Sequence, residues 1–166
     1  MRKKEKIAVY PGSFDPPTFG HLDVIKRSLE IFDKIIVLVS DSKNKNYMFS
    51  KDERFEMVKE MTKDIEKVSV ENLPGLLVDY LKKKKMRIVI RGLRITSDFD
   101  YEFQMSSLNR VLYPKIETIY IISDIKFILL SSSLVRELIS NNGDISKFVP
   151  PEVEKFIKKR GARWTS

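Results

Sequence analysis

Apolar runs of strand length alternate with stretches of helical period along this chain. Residues 6–10 read as a short buried strand that Pro11 and Gly12 end, and Pro16 and Pro17 keep the next stretch in a loop. From His21 the period changes, with Leu22, Ile25, Leu29 and Phe32 on one helical face. Residues 35–39 form a continuous apolar run, as expected of a strand covered on both faces. Ser50 and Glu53 have the spacing of a capping box, and Phe55, Val58 and Thr62 follow at helical intervals. Residues 68–70 predict a brief strand, Pro74-Gly75 turn the chain into a helix through Leu77 and Leu81, and residues 88–90 predict another strand. A helix over 98–112 carries Tyr101, Met105, Leu108 and Leu112 on one stripe. A strand over 118–122, a helix over 134–139 opened by serines and ended at Asn142-Gly143, and a basic helix from Pro150-Pro151 through Arg160 complete the pattern.

Alternating strands and helices predict an α/β fold, a Rossmann-like doubly wound parallel sheet of five strands with helices on both faces. The 166 residues suit one domain over 1–160 with a frayed tail over 161–166. In such sheets ligands bind beyond the carboxyl ends of the strands, where strand order reverses. The chemistry is therefore sought just after each strand.

Composition narrows that chemistry. There is no cysteine, which excludes disulfides, thiolate metal sites and a thiol nucleophile, and His21 is the sole histidine, which excludes multi-histidine metal sites. A net charge of +8 suits acidic partners, although solvated lysines give the same balance. No apolar stretch approaches the roughly 18 residues of a membrane span, and the charged start does not read as a signal peptide, so the expectation is a cytoplasmic protein with no membrane partner.

The segment after the first strand reads Gly12-Ser13-Phe14-Asp15-Pro16-Pro17-Thr18-Phe19-Gly20-His21. Gly20 and His21 stand at a helix start, where amides and dipole favour anions. The segment after residues 88–90 reads Arg91-Gly92-Leu93-Arg94, two guanidinium groups suited to phosphate. Asp98 and Glu102 lie one helical turn apart; a paired-carboxylate acid/base site and an N-terminal carboxylate pair both fit, and the second suits Asp98 better. Ser131, Ser132 and Ser133 precede a helix, as caps or as a phosphate site.

Thr18-Phe19-Gly20-His21 resembles the T/H-x-G-H signature of the nucleotidylyltransferase superfamily. With Tyr10-Pro11-Gly12-Ser13-Phe14-Asp15-Pro16 before it, the chain is similar to the bacterial pantetheine-phosphate adenylyltransferase family. The likeness continues through Ile90-Arg91-Gly92-Leu93-Arg94, Asp98-Phe99-Asp100-Tyr101-Glu102 and the serine cluster with Arg136, and spans nearly the whole chain. It implies transfer of the adenylyl group of ATP to 4'-phosphopantetheine, giving dephospho-coenzyme A and pyrophosphate. It implies that His21, Lys45 and Arg91 are catalytic and that Ser13, Lys45, Leu77 and Arg91 bind the acceptor, with Lys43 as the fallback for Lys45. ATP would meet Ser13, Phe14, His21, Gly92, Leu93, Arg94, Glu102, Phe127, Ile128, Leu129, Leu130, Ser131, Ser132 and Ser133. Tyr47, where the family often has proline, and Leu129-Leu130, in place of its aromatic-isoleucine pair, depart from the pattern. Mg2+ is expected with ATP rather than on protein side chains. The resemblance also implies a homohexamer and coenzyme A as feedback ligand.

Other readings lie nearby. Relatives that use CTP with glycerol phosphate or choline phosphate, or ATP with nicotinamide mononucleotide, share the histidine signature; the arginine and serine contexts favour the pantetheine family. A class I aminoacyl-tRNA synthetase fragment would need a lysine-rich K-M-S-K-S-like loop, and Leu134-Val135-Arg136 follows the serines instead. A nucleic-acid module would rest on Lys82, Lys83, Lys84, Lys85 and the basic final helix, but lacks interleaved aromatics, so no nucleic-acid partner is expected.

Overall fold

The computed structural model describes residues 5–42, 45–94 and 96–161, with backbone alone at 96–98. Lys43, the Asp98 side chain and the tail over 162–166 lie outside the described residues. Five parallel strands, β1 (Ile7–Gly12), β2 (Lys34–Val39), β3 (Val68–Asn72), β4 (Ile88–Leu93) and β5 (Glu117–Ile122), form one sheet in the order β3-β2-β1-β4-β5. Among the described residues there are six α-helices: α1 (Phe19–Ser28), α2 (Lys51–Thr62), α3 (Leu77–Lys84), α4 (Thr96–Leu112), α5 (Ser132–Ser140) and α6 (Pro151–Gly161). A short 3-10 turn, Ile125–Phe127, precedes α5. No helix among the described residues is long and apolar enough to cross a membrane.

Strand alternation sorts the core into two layers. Ala8, Tyr10, Ile35, Val37 and Val39 point into one cluster, shared with Val24, Ile25, Met57, Val58, Val135 and Val153 of α1, α2, α5 and α6. Val9, Ile36 and Leu38 point the other way, against Val78 and Leu81 of α3. Both faces are covered, which is why the strands read as unbroken apolar runs. The chain steps outward from β1 to β3 and then returns to lay β4 on the other side of β1, so the order reverses between β1 and β4.

Three strands outrun their sequence signals; β3 continues past Val70 because Glu71 and Asn72 pair with Leu38 and Val39. Pro11 and Gly12 belong to β1, in register with Leu38 and Val39, rather than ending it. Gly12 O accepts Ser40 N–H at 2.8 Å on the β2 side, while Pro11 O takes Arg91 Nη1 at 2.7 Å on the β4 side, so the missing proline N–H breaks no ladder bond. β4 likewise runs past Ile90 through Leu93, because Arg91, Gly92 and Leu93 pair with Tyr120, Ile121 and Ile122. The Tyr101, Met105, Leu108 and Leu112 stripe of α4 is helical as read, but it faces away from the core.

The capping box forms: Ser50 Oγ accepts Glu53 N–H at 3.3 Å, and Glu53 accepts Ser50 N–H at 2.8 Å. Asn142 takes a left-handed φ of 54° at the end of α5, and Gly143 N–H bonds back to Leu138 O at 2.8 Å.

Candidate active site

A cleft of about 690 Å³ opens where β1 and β4 part, at the carboxyl end of the sheet. Its walls come from the segments after β1, β2 and β4 and from the amino end of α5, which chain order separates widely.

The β1 segment builds the floor. Phe14 has φ 51° and is buried, its ring edge-on to Tyr10 at 5.5 Å and to His21 at 5.0 Å. That fold of the chain demands Gly12, since a Cβ there would meet the Phe14 ring at 2.9 Å. Asp15, also buried, accepts Phe49 N–H at 2.9 Å on Oδ1 and Met48 N–H at 3.0 Å on Oδ2. Its backbone carbonyl takes Arg136 Nη1 at 2.6 Å. One residue thereby joins the β1 segment to the β2 segment and to α5.

His21 sits in the first turn of α1. Its Nδ1 accepts Thr18 N–H at 3.0 Å, so in the neutral ring Nε2 carries the proton. Burial, then Arg94 and Arg91, push its pKa down to about 4. A neutral imidazole with a fixed Nε2–H therefore stands beside the helix amides, able to donate to an anion near neutral pH.

Arg91 leaves β4 with its guanidinium largely committed. Nε donates to Glu102 Oε2 at 2.6 Å, Nη2 donates to Glu102 Oε1, and Nη1 donates to Pro11 O. Among the described residues three of the five N–H donors of this guanidinium are thus used, leaving two for a ligand. Burial opposes the Arg91 charge, yet the bond and charge of Glu102 outweigh it, and the group is held above its ordinary range. Gly92 keeps the wall thin; a Cβ would lie 3.1 Å from Val24 Cγ2. Arg94 Nη1 reaches Leu130 O at 3.0 Å and ties the β4 segment to the serines.

The serine segment docks by its own side chains. Ser131 Oγ accepts Leu134 N–H at 3.1 Å as cap, and Ser132 Oγ donates to Pro16 O at 2.8 Å. Ser133 Oγ accepts Arg136 Nη2 at 3.0 Å.

Ser13, His21, Lys45, Arg91, Gly92, Arg94, Glu102, Leu130, Ser131, Ser132 and Ser133 all line the cleft. The other expected residues stand back from its lining. Phe14 lies beneath His21. Leu93 carries the backbone bond from Ser123 N–H at 2.8 Å. Phe127 stacks on Phe19 at 6.3 Å, and Ile128 follows it. Leu129 is 83% exposed, and Leu77 packs with the α3 core.

Sequence reasoning gave no site role to Asp15 or Tyr47, and none to Arg136 beyond its place in the serine segment that the resemblance sets against ATP; all three also line the cleft. Arg136 was legible in principle, because three residues after Ser133 on a helix shares its face. Asp15 had no such signal; its partners are far along the chain. The lining sets Lys45, Arg91, Arg94 and Arg136 against Asp15 and Glu102, a surplus of positive charge suited to polyphosphate.

Comparison with known proteins bears on this geometry. A cytidylyltransferase-like family model matches residues 9–138. The phosphopantetheine adenylyltransferase of Petrotoga mobilis is 50% identical over 153 residues, 92% of this chain and 94% of that protein. Those of Geotalea daltonii and Dictyoglomus thermophilum are 51% and 50% identical, covering 92% and 94% of this chain and 94% and 96% of theirs. The solved structure assigned as a nicotinate-nucleotide adenylyltransferase from Vibrio parahaemolyticus superposes with a TM-score of 0.74 at 21% identity, over 95% of this chain and 94% of that one, a likeness of fold. On sequence, fold and the arrangement of the cleft together, this chain belongs to the phosphopantetheine adenylyltransferase family, within the cytidylyltransferase-like group.

Proposed function

We propose that the chain transfers the adenylyl group of ATP to 4'-phosphopantetheine, giving dephospho-coenzyme A and pyrophosphate. Beyond family membership, one observation carries the reading: a neutral His21, its Nδ1 tied to Thr18, in a cleft where cationic side chains outnumber carboxylates. An oxygen of the acceptor phosphate attacks the α-phosphorus, the bond from that phosphorus to pyrophosphate breaks, and pyrophosphate leaves with the electron pair. The acceptor phosphate is ionised near neutral pH, so no general base is required. The protein aligns two anions and stabilises the charge that develops between them.

In this reading His21 donates Nε2–H to the α-phosphate as its charge grows. Ser13, Lys45 and the two remaining donors of Arg91 hold the acceptor phosphate. Arg94, Ser132 and Ser133 hold the triphosphate tail, with Arg136 fixing Ser133. Glu102 acts chiefly on Arg91. Among the described residues no three His, Asp or Glu converge on an ion, and both cleft carboxylates already hold donors. Mg2+ is therefore read as part of the substrate, carried by the ATP phosphates with its waters.

We extend the proposal to one working domain over 1–160 in the cytoplasm, a homohexamer, and coenzyme A as feedback ligand of the same cleft. Exposed Tyr101, Phe103, Leu108 and Val111 of α4 and Ile122 of β5 support assembly of copies.

Pyrophosphate release from ATP, Mg2+ and 4'-phosphopantetheine tests the reaction, beside wells of CTP with glycerol phosphate and ATP with nicotinamide mononucleotide. Release with phosphopantetheine alone is expected. Release only in another well moves the acceptor, and silence from folded protein removes the reading. Sedimentation tests the hexamer, and competition by coenzyme A against phosphopantetheine tests the feedback.

A further inference from the structure

Tyr47 stands in the cleft wall beside Lys45, on the segment that leads from β2 to α2. Its phenol oxygen accepts Ser42 N–H at 2.6 Å, and Lys45 N–H donates to Ser42 O at 3.1 Å. The two bonds close the chain on itself around Lys45. The face of the Tyr47 ring lies 4.2 Å from Arg54 Cζ, a cation–π contact.

Arg54 is no ordinary surface cation. It is 1% exposed, and it donates to Ser13 O at 2.6 Å, Ser40 O at 2.9 Å and Phe49 O at 3.1 Å while pairing with Asp41. Asp15 fixes the amides of Met48 and Phe49 immediately after Tyr47. The ring of Tyr47 is thereby seated on a rigid base that also carries Ser13. Its hydroxyl reaches across to the other limb of the loop. Proline, with no hydroxyl and no ring face of this kind, would supply neither contact.

We propose that Tyr47 is a positioning residue for the acceptor phosphate, whose hydroxyl clasps Ser42 and so holds Lys45 in the cleft wall. The proposal rests on Lys45 meeting that phosphate, as read above. The clasped amide lies in an exposed part of the loop, where water replaces a lost bond. Loss of the hydroxyl should therefore register in acceptor binding and not in folding.

The test is a double-mutant cycle of Tyr47→Phe and Lys45→Ala on the full chain, with KM for each substrate, kcat and Tm read for all four proteins. Tyr47→Phe keeps the ring on Arg54 and removes only the clasp. It should raise KM for 4'-phosphopantetheine about 3- to 10-fold, the worth of one ordinary hydrogen bond. KM for ATP and Tm should stay as they are. In the Lys45→Ala background the same change should add nothing, because the clasp acts through Lys45. If Lys45→Ala raises acceptor KM and Tyr47→Phe does not, the clasp is overturned while the Lys45 reading stands. If Lys45→Ala leaves acceptor KM unmoved, the Lys45 reading itself fails and takes the clasp with it. A Tyr47→Phe protein with both KM values raised and a lower Tm has lost general structure, and that also overturns the positioning role.

Discussion

Thr18 gives its backbone N–H to Nδ1 of His21 across 3.0 Å, and this bond decides which imidazole nitrogen holds the proton. The ring is thus preset as a donor through Nε2. In the proposed reaction that donor meets charge only as the transition state forms. His21→Ala should lower kcat about 100- to 1000-fold, with KM for ATP changed only a few-fold. Steady-state kinetics check this; a rise in KM at constant kcat would make His21 a ground-state binder.

The same histidine makes folding sensitive to acid. Its folded pKa of about 4 lies below the unfolded value of about 6.5, so between those pH values the unfolded chain holds the extra proton. The contribution of a neutral His21 is complete above about pH 6.5 and is lost as pH falls toward 4, up to about 3 kcal/mol in all. His21→Gln should lose less stability than the parent across this window in urea melts. As the only histidine, His21 should also give one imidazole signal by NMR, titrating near 4.

Arg91 and Glu102 form a side-on pair within the cleft, with neither side chain more than 27% exposed. Glu102→Ala leaves the guanidinium without its partner and should cost about 2 kcal/mol of stability. Acceptor KM should rise with it, since Arg91 is no longer aimed. Glu102→Gln retains one acceptor oxygen and should fall between the two. Thermal melts with acceptor titrations measure both effects.

Arg54 is expected to be among the costliest substitutions in the molecule. Arg54→Ala strands three carbonyls and opens a cavity beneath Tyr47, for a loss of about 3–5 kcal/mol. Arg54→Lys keeps the charge but not the fork and should still lose a substantial part. Chemical denaturation separates the two.

Legibility in the sequence followed the range of the forces involved. Strands and helices were readable because period and capping are local, as at residues 35–39 and Ser50 with Glu53. The strand limits at Pro11 and Arg91 were not, because they depend on neighbours that only the sheet supplies. Arg54 looked like any charged helix residue until the carbonyls of Ser13 and Ser40 arrived from elsewhere to join that of Phe49 just before the helix. In the site, Ser13 and His21 after β1, Arg91, Gly92 and Arg94 at the end of β4 and the serines at the start of α5 converged. Phe14, Leu93, Leu77 and residues 127–129 stand outside the cleft lining, since a string in sequence does not say which side chains turn inward.

The apolar outer face of α4, with Ile122 beside it on β5, bears on how stability must be measured. Val111 is 78% and Ile122 68% exposed in one copy. Any association that removes these side chains from water favours the native over the unfolded chain by mass action. Tm would then climb with protein concentration, and a midpoint recorded from a dilute sample would describe a different equilibrium from that in a concentrated one.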